Sequence, residues 1–255
     1  MKNKKLYILI FVLIISGYLS FYLYKWEFRE RMFEIYFFSL NRGRSIFIRT
    51  PEDKTILVGG GQNAEVIREI TKVTPFYRRR INKLIIPSAN ANQIGGLIEI
   101  VSRYEIDEII IPKIMATSTV LSELKKAVNR NKIHVIEVVE GDRIEIEKDL
   151  EIRILFPSQN FKYNKTSLPE LGLEIKYKNT SSFLIGNLSK TIQKYISNLS
   201  ARTGGEHSSI IEFYNSASES KVSKELLEKI KPKFIYSTKE KTMHLISDGD
   251  EWVKK

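Results

Sequence analysis

No cysteine occurs among the 255 residues. That excludes disulfides, thiol nucleophiles and thiolate-bound zinc. Histidine is almost as scarce, with only His134, His207 and His244, which leaves little material for a conventional catalytic metal centre. Serine is plentiful, but no G-x-S-x-G elbow marks it as a nucleophile. Internal repeats and low-complexity tracts are absent. Acidic residues are outnumbered, 30 against 41 Lys and Arg, for a net charge of +11. Residues 1–31 carry +4 of this charge, from Lys2, Lys4, Lys5, Lys25, Arg29 and Arg31 against Glu27 and Glu30. Such a balance suits either a basic soluble surface or a polyanionic partner, nucleic acid or acidic lipid.

What is present is 42% hydrophobic and 11% aromatic residues, enough to bury one core with an appendage. The appendage is residues 1–31 and the domain residues 32–255. Leu6 to Tyr24 is an uncharged, apolar run long enough to cross the ~30 Å hydrocarbon core of a bilayer as a helix. Lys2, Lys4 and Lys5 precede it, so the positive-inside rule predicts a single-pass membrane anchor with a cytoplasmic N-terminus and an extracytoplasmic domain. Tyr22, Tyr24 and Trp26, with Tyr18 a turn deeper, would form an aromatic belt at the far end. A cleaved signal peptide is the rival, but no A-x-A-like site follows the run.

Met32 to Phe38 reads as an apolar link. Ser45 to Arg49 and Thr55 to Val58 alternate as strands around the turn Thr50-Pro-Glu-Asp-Lys54, a hairpin. Gly59-Gly-Gly61 follows, then a helical pattern from Ala64 to Val73. Gly59-x-Gly61-x-x-Ala64 loosely fits a dinucleotide fingerprint; the preceding hairpin and the lack of a suitable acid favour a tight turn. Further strands are expected over Leu84–Ile86, Glu108–Ile111, Ile133–Val139, Arg143–Ile146, Leu150–Leu155, Leu171–Tyr177, Ser182–Ile185, Ser209–Phe213, Lys233–Ser237 and Met243–Ile246 with Trp252. Helices are expected from Ile94 to Tyr104 and over Thr117–Asn131, Leu188–Leu199 and Lys221–Ile230. Hairpins followed by mixed strands and helices predict an α/β chain folded as an αββα sandwich.

The stretch Pro87-Ser-Ala-Asn-Ala-Asn-Gln-Ile-Gly-Gly96 is the most informative. It joins the C-terminal end of a buried strand to a helix, where open sheets place their chemistry. Yet it offers a hydroxyl and three carboxamides, with no carboxylate or imidazole.

Several segments together resemble the metallo-β-lactamase-fold domain of ComEC-type DNA-uptake (competence) proteins, over about residues 36–255. The family's opening hairpin, Asp-Val-Gly-Gln-Gly-Asp-Ser-Ile-Leu-Ile-Arg-Thr-Pro followed by Lys-Thr-Ile-Leu-Ile-Asp-Gly-Gly, is matched here. It stands as Ser39-Leu-Asn-Arg-Gly-Arg-Ser-Ile-Phe-Ile-Arg-Thr-Pro51 and Lys54-Thr-Ile-Leu-Val-Gly-Gly-Gly61. Tyr77-Arg-Arg-Arg80, Gly141-Asp-Arg-Ile-Glu-Ile146, Phe183-Leu-Ile-Gly-Asn-Leu188 and Leu226 to Lys233 match further blocks in order. The family's metal loop, Ser-His-x-Asp-x-Asp-His-Ile-Gly-Gly, corresponds to Pro87–Gly96. The resemblance therefore makes Ser88, Asn90, Asn92, Gln93 and Asn187 vestigial metal-site positions. Ser88 and Gln93 stand for histidines, and Asn90, Asn92 and Asn187 for aspartates. Gly59 replaces another aspartate, Arg44 an acid of the first hairpin, and no histidine lies near Asn215 and Ser216, where a pair is expected.

Carboxamides copy the shape of carboxylates without their charge, so a dication's desolvation goes uncompensated and no metal-bound hydroxide forms. The expectation is a membrane-anchored pseudoenzyme with no catalytic residues, metal or cofactor. It would bind DNA or assist its uptake, with Arg42, Arg44, Arg78, Arg79 and Arg80 as candidate phosphate contacts. Two alternatives stand beside it. One is a structural partner of a multi-spanning channel protein; the other is a metal-dependent hydrolase or nuclease with a divergent site. His134 in a strand, His207 after Thr203-Gly-Gly-Glu206 and His244 in a terminal strand do not form a catalytic set.

Overall fold

A computed structural model of the protein describes residues 2–27, 31–114, 116–158, 170–200, 208–213, 222–237 and 241–255. The chain divides into two units, Met1–Arg31 and Met32–Lys255. The first is a helix, α1 (Lys2–Glu27), in which residues 10–21 are exposed. They include Phe11, Leu13, Ile14, Tyr18 and Phe21. Among the described residues no helix is long and apolar enough to cross a membrane. The span expected from Leu6 to Tyr24 is therefore not seen in the structure, and the belt side chains Tyr22, Tyr24 and Trp26 lie outside the described ones.

The second unit runs β1 (Phe33–Phe38), β2 (Ser45–Arg49), β3 (Thr55–Val58), α2 (Glu65–Val73), β4 (Arg80–Ile85), α3 (Ala91–Ile94), α4 (Leu97–Arg103), β5 (Glu105–Pro112), α5 (Thr119–Arg130) and β6 (His134–Val138). It continues with β7 (Arg143–Glu147), β8 (Leu150–Phe156), β9 (Gly172–Tyr177), β10 (Thr180–Gly186), α6 (Lys190–Ser200), β11 (Ser208–Phe213), α7 (Lys224–Ile230), β12 (Phe234–Ser237), β13 (Met243–Ser247) and β14 (Trp252–Lys254). The strands form an eight-stranded sheet ordered β14-β13-β1-β2-β3-β4-β5-β6 and a six-stranded sheet ordered β12-β11-β10-β9-β8-β7.

Alternation along the strands decides what each face covers. Phe33, Ile35 and Phe37 of β1 join Ile46, Ile48, Ile152, Ile175 and Leu184 in a core between the sheets. Tyr36 and Phe38 point the other way, with Phe47, Leu57 and Leu84, and are covered by Ile70, Leu97, Ile100 and Leu124 of the helices α2, α4 and α5. On the far face of the second sheet, Phe183, Ile185 and Ile211 meet Ile196 of α6 and Leu226 of α7. Helices thus cover both outer faces, the expected αββα arrangement.

Two local expectations change. Met32–Phe38 is not a link: β1 lies inside the first sheet, paired antiparallel with β2 and β13. Its Phe-Glu-Ile-Tyr-Phe-Phe run is buried on both faces, so it lacks the alternation that identifies a strand. The helix expected from Ile94 is broken into α3 and α4 at Gly95-Gly96. A Cβ at Gly96 would fall 2.2 Å from the carbonyls of Gly60 and Asn63, and one at Gly95 would fall 2.1 Å from the Gln62 carbonyl. The two glycines let the 59–63 loop lie directly on this junction.

Candidate functional site

The first sheet's strands β3 and β4 are parallel, so Gly59–Gly61 and Pro87–Gln93 leave it at the same end. Gly59 and Gly61 have positive φ, 67° and 66°. The Gly59, Gly60, Gly61 and Gln62 amides donate to the carbonyls of Ile85, Gln93, Arg44 and Arg42. With those donors spent on the protein's own carbonyls, Gly59–Gly61 is a tight turn and not a phosphate cradle. The Leu171 amide, just before β9, donates to the Pro87 carbonyl at 2.7 Å, fastening the second sheet to this loop.

Within the 87–93 loop the carboxamides do structural work. Ser88 is buried and its Oγ accepts from the Asn90 amide at 3.2 Å. Asn90 caps α3, its Oδ1 accepting from the Asn92 amide at 2.9 Å. Gln93 is buried and points inward, its Nε2 donating to Glu170 Oε1 at 2.8 Å. Asn187, after β10, has an exposed side chain, but its backbone amide donates to Glu170 Oε2 at 3.0 Å.

Glu170 is therefore the meeting point of two of the loops that bear vestigial positions, and its third partner is Arg44. The guanidinium donates through Nη2 to Glu170 Oε1 at 2.7 Å and through Nη1 to Glu212 Oε2 at 2.5 Å. The Arg44 side chain is 2% exposed and that of Glu212 0%. Gly186 makes the slot: with φ +53° and no side chain, it leaves space where a Cβ would be 2.2 Å from Glu170 Oε1 and 2.6 Å from Arg44 Nη2. Burial opposes the charge on Arg44, but the carboxylates of Glu212 and Glu170 outweigh it and raise its pKa above the ordinary value. Glu212 goes up as well, chiefly because burial disfavours its carboxylate and secondarily because Glu170 repels it; Arg44 offsets only part of this. One cation faces two carboxylates, so the cluster carries more acceptor charge than its donor neutralises.

A metal of the kind the resemblance implies does not fit here. Among the described residues no group of three or more His, Cys, Asp or Glu could hold one, and the inward-facing position is taken by a buried cation. The 201–207 and 214–221 segments, with His207, Asn215 and Ser216, lie outside the described residues.

The five candidate arginines are not brought together. Arg44 is buried in the cluster and cannot meet a ligand. Arg42 is exposed at the rim. Arg78–Arg80 precede or begin β4, about 17 Å from its far end at 3.3 Å per residue, so they lie away from the loop. There Arg78 pairs with Asp53 and Arg80 with Asp107, while Arg79 is exposed and donates to the Phe76 carbonyl at 3.4 Å.

Glu170 and Glu212 are the residues that the sequence analysis did not single out. Glu212 had a usable signal: a lone acid within Ile210-Ile211-Glu212-Phe213, a buried strand where an ionised group needs a partner. Glu170 had none, because it stands at the end of a polar linker.

No family model and no curated protein matches the sequence. Solved structures do. The chain is similar to the metallo-beta-lactamase fold protein YhfI from Bacillus subtilis, with a TM-score of 0.54 and 9% identity over 81% of this chain and 86% of that one. It is also similar to CmlA, a diiron beta-hydroxylase from Streptomyces venezuelae, with a TM-score of 0.51 and 15% identity. That match covers 83% of this chain but 45% of CmlA, so this chain spans less than half of that protein. At these identities the likeness concerns the fold: two mixed sheets between helices, of the metallo-β-lactamase type.

Proposed function

We propose that this chain, a metallo-β-lactamase fold, is a non-hydrolytic member of that architecture, held at a membrane by α1 and acting as an assembly partner. The observation that carries the non-hydrolytic part is the Glu170–Arg44–Glu212 cluster. Hydrolysis by this fold's chemistry needs a bound cation to acidify water. Here the loop that would supply ligands supplies a cap and a hydrogen-bond donor, and the inward-facing position is already taken by the Arg44 guanidinium. The membrane part is supported by the Leu6–Tyr24 run and the helical backbone of α1. The ComEC-type resemblance gives the partner: a multi-spanning channel of DNA uptake. Cross-linking in membranes followed by affinity capture tests this; recovery of a multi-spanning protein is expected, and capture of the chain alone would contradict it.

Nucleic-acid binding is the second reading, favoured by the +11 charge and by exposed Arg42 beside the carboxamide loop. It has lost Arg44 to the interior, and Arg78 and Arg80 to Asp53 and Asp107. Titrating single-stranded and duplex DNA from low to high salt decides it. Affinity that falls with salt and weakens in Arg42→Ala supports it, and no binding at low salt removes it.

A further inference from the structure

We infer that the turn Pro75–Arg78 and the cations around it form a second membrane contact, an aromatic and basic rim that seats the domain on an anionic lipid surface. This rests on the reading that α1 holds the chain at a membrane. The turn is built to present its aromatics. Thr74 closes α2, its amide and hydroxyl both donating to the Ile70 carbonyl, and Pro75 stops the helix there. The Arg78 amide donates to the Pro75 carbonyl at 3.0 Å. Phe76 and Tyr77 are thus the central residues of a tight turn, where Gly, Asn and Asp are usual. They are 78% and 74% exposed, edge to face with ring centroids 5.6 Å apart. The other exposed large hydrophobics described in the second unit, Val135, Ile235 and Val253, reach only 40–44%. Arg78 pins the turn by clamping Asp53 through both terminal nitrogens.

Topology gathers charge at the same end. Strands β3 to β6 run parallel, so α2, α4 and α5 all return to the end where those strands begin. The rim acids Glu52, Asp53 and Asp107 are engaged by Lys54, Arg78 and Arg80. That leaves exposed Arg79, Arg130 and Lys132 against exposed Glu105, the last two cations about 10 Å from β4, two strands away. Each basic side chain near an anionic leaflet adds attraction, and exposed aromatics rest at headgroup level. Strand β1 runs parallel to β3 through two antiparallel pairings, so the chain enters the domain from Arg31 at this rim. That entry point favours lipid over a nucleic acid. Single strands also favour a groove lined by stacking rings, whereas these rings crown a convex turn. Two rings and three cations are a marginal contact alone; they orient the domain while α1 holds it. The 87–93 loop, at the opposite end of the first sheet, then faces away from the bilayer.

The chain has no cysteine, so one introduced thiol gives a unique label. The full chain carrying Phe76→Cys, Tyr77→Cys or Gln62→Cys, the last exposed at the opposite end of the sheet, is labelled with the environment-sensitive fluorophore NBD. Each is reconstituted into vesicles of phosphatidylcholine with or without phosphatidylglycerol, with doxyl-labelled lipid as quencher. In anionic vesicles the labels at 76 and 77 should shift to the blue and be quenched, and the label at 62 should do neither. Quenching should weaken in phosphatidylcholine alone, in the added Arg79→Gln/Lys132→Gln background, and at about 1 M salt, where charges are screened beyond ~3 Å. If the chain floats with the vesicles but the turn labels are quenched no more than the label at 62, the rim is overturned and the anchor stands. A chain that does not float overturns the membrane reading and the rim with it. A blue shift without lipid quenching means that a second copy covers the pair. Turn labels that respond to added single-stranded DNA and not to lipid assign the rim to nucleic acid. Either of these results overturns the lipid contact.

Discussion

At the residue scale the site is decided by how many hydrogen bonds each acid receives. Glu170 accepts from Arg44, Gln93 and Asn187, whereas Glu212 accepts from Arg44 through one oxygen. Glu170→Ala leaves a buried guanidinium with one partner and two loops untied, and should cost about 3–5 kcal/mol in denaturant unfolding. Glu212→Gln keeps shape and an acceptor, and should cost about 1 kcal/mol. The two differ in pH behaviour as well. Burial raises Glu212 above its ordinary 4.5, so the folded chain holds that proton more tightly than the unfolded chain. Its contribution to stability is full below 4.5 and declines as pH rises from there through the raised value. Glu212→Gln should flatten that decline in unfolding curves taken from pH 4 upward (about one-unit steps suffice). An unchanged slope would place the proton elsewhere. Sequence alone made Arg44 visible as a lost acid, but as a surface contact for phosphate. Its burial depends on Glu170 and Glu212, which are 126 and 168 residues away in the chain, and no local pattern encodes that pairing.

Among the elements, the carboxamide loop keeps its form through caps and glycines. Asn90→Ala should cost about 1 kcal/mol, because the α3 cap to the Asn92 amide is lost. Gly96→Ala should cost about 3 kcal/mol, because its Cβ would collide with two carbonyls of the 59–63 loop in a junction with no room to yield. Denaturant midpoints measure both, and a neutral Gly96→Ala would mean that the two loops are not docked as described. Most of the elements were legible because period-2 and period-3.6 patterns survive in them: β2, β3, α2, α5 and β8 stand within a residue or two of expectation. The break at Gly95-Gly96 was not, since an i, i+3 pattern runs through it from Ile94 to Val101. Strand β1 was not, because burial on both faces erases alternation.

For the whole molecule, two mixed sheets with helices outside are the metallo-β-lactamase type; the order of hairpins and later mixed strands was enough to predict the αββα layers, and the resemblance supplied the type. The proposed membrane role rests on Leu6–Tyr24. Removing residues 1–31 should shift the protein from the membrane pellet to the supernatant of lysed cells; a pellet fraction that stays the same would locate the attachment in residues 32–255 instead. The central claim is that this domain keeps the fold without its metal chemistry. Its most direct test is metal analysis of the full chain, produced with added zinc and manganese and purified without chelators, together with a phosphodiester hydrolysis assay. The account predicts no stoichiometric metal and turnover equal to the buffer blank. One or two tightly bound metal ions per chain, with hydrolysis abolished by a chelator, would contradict it.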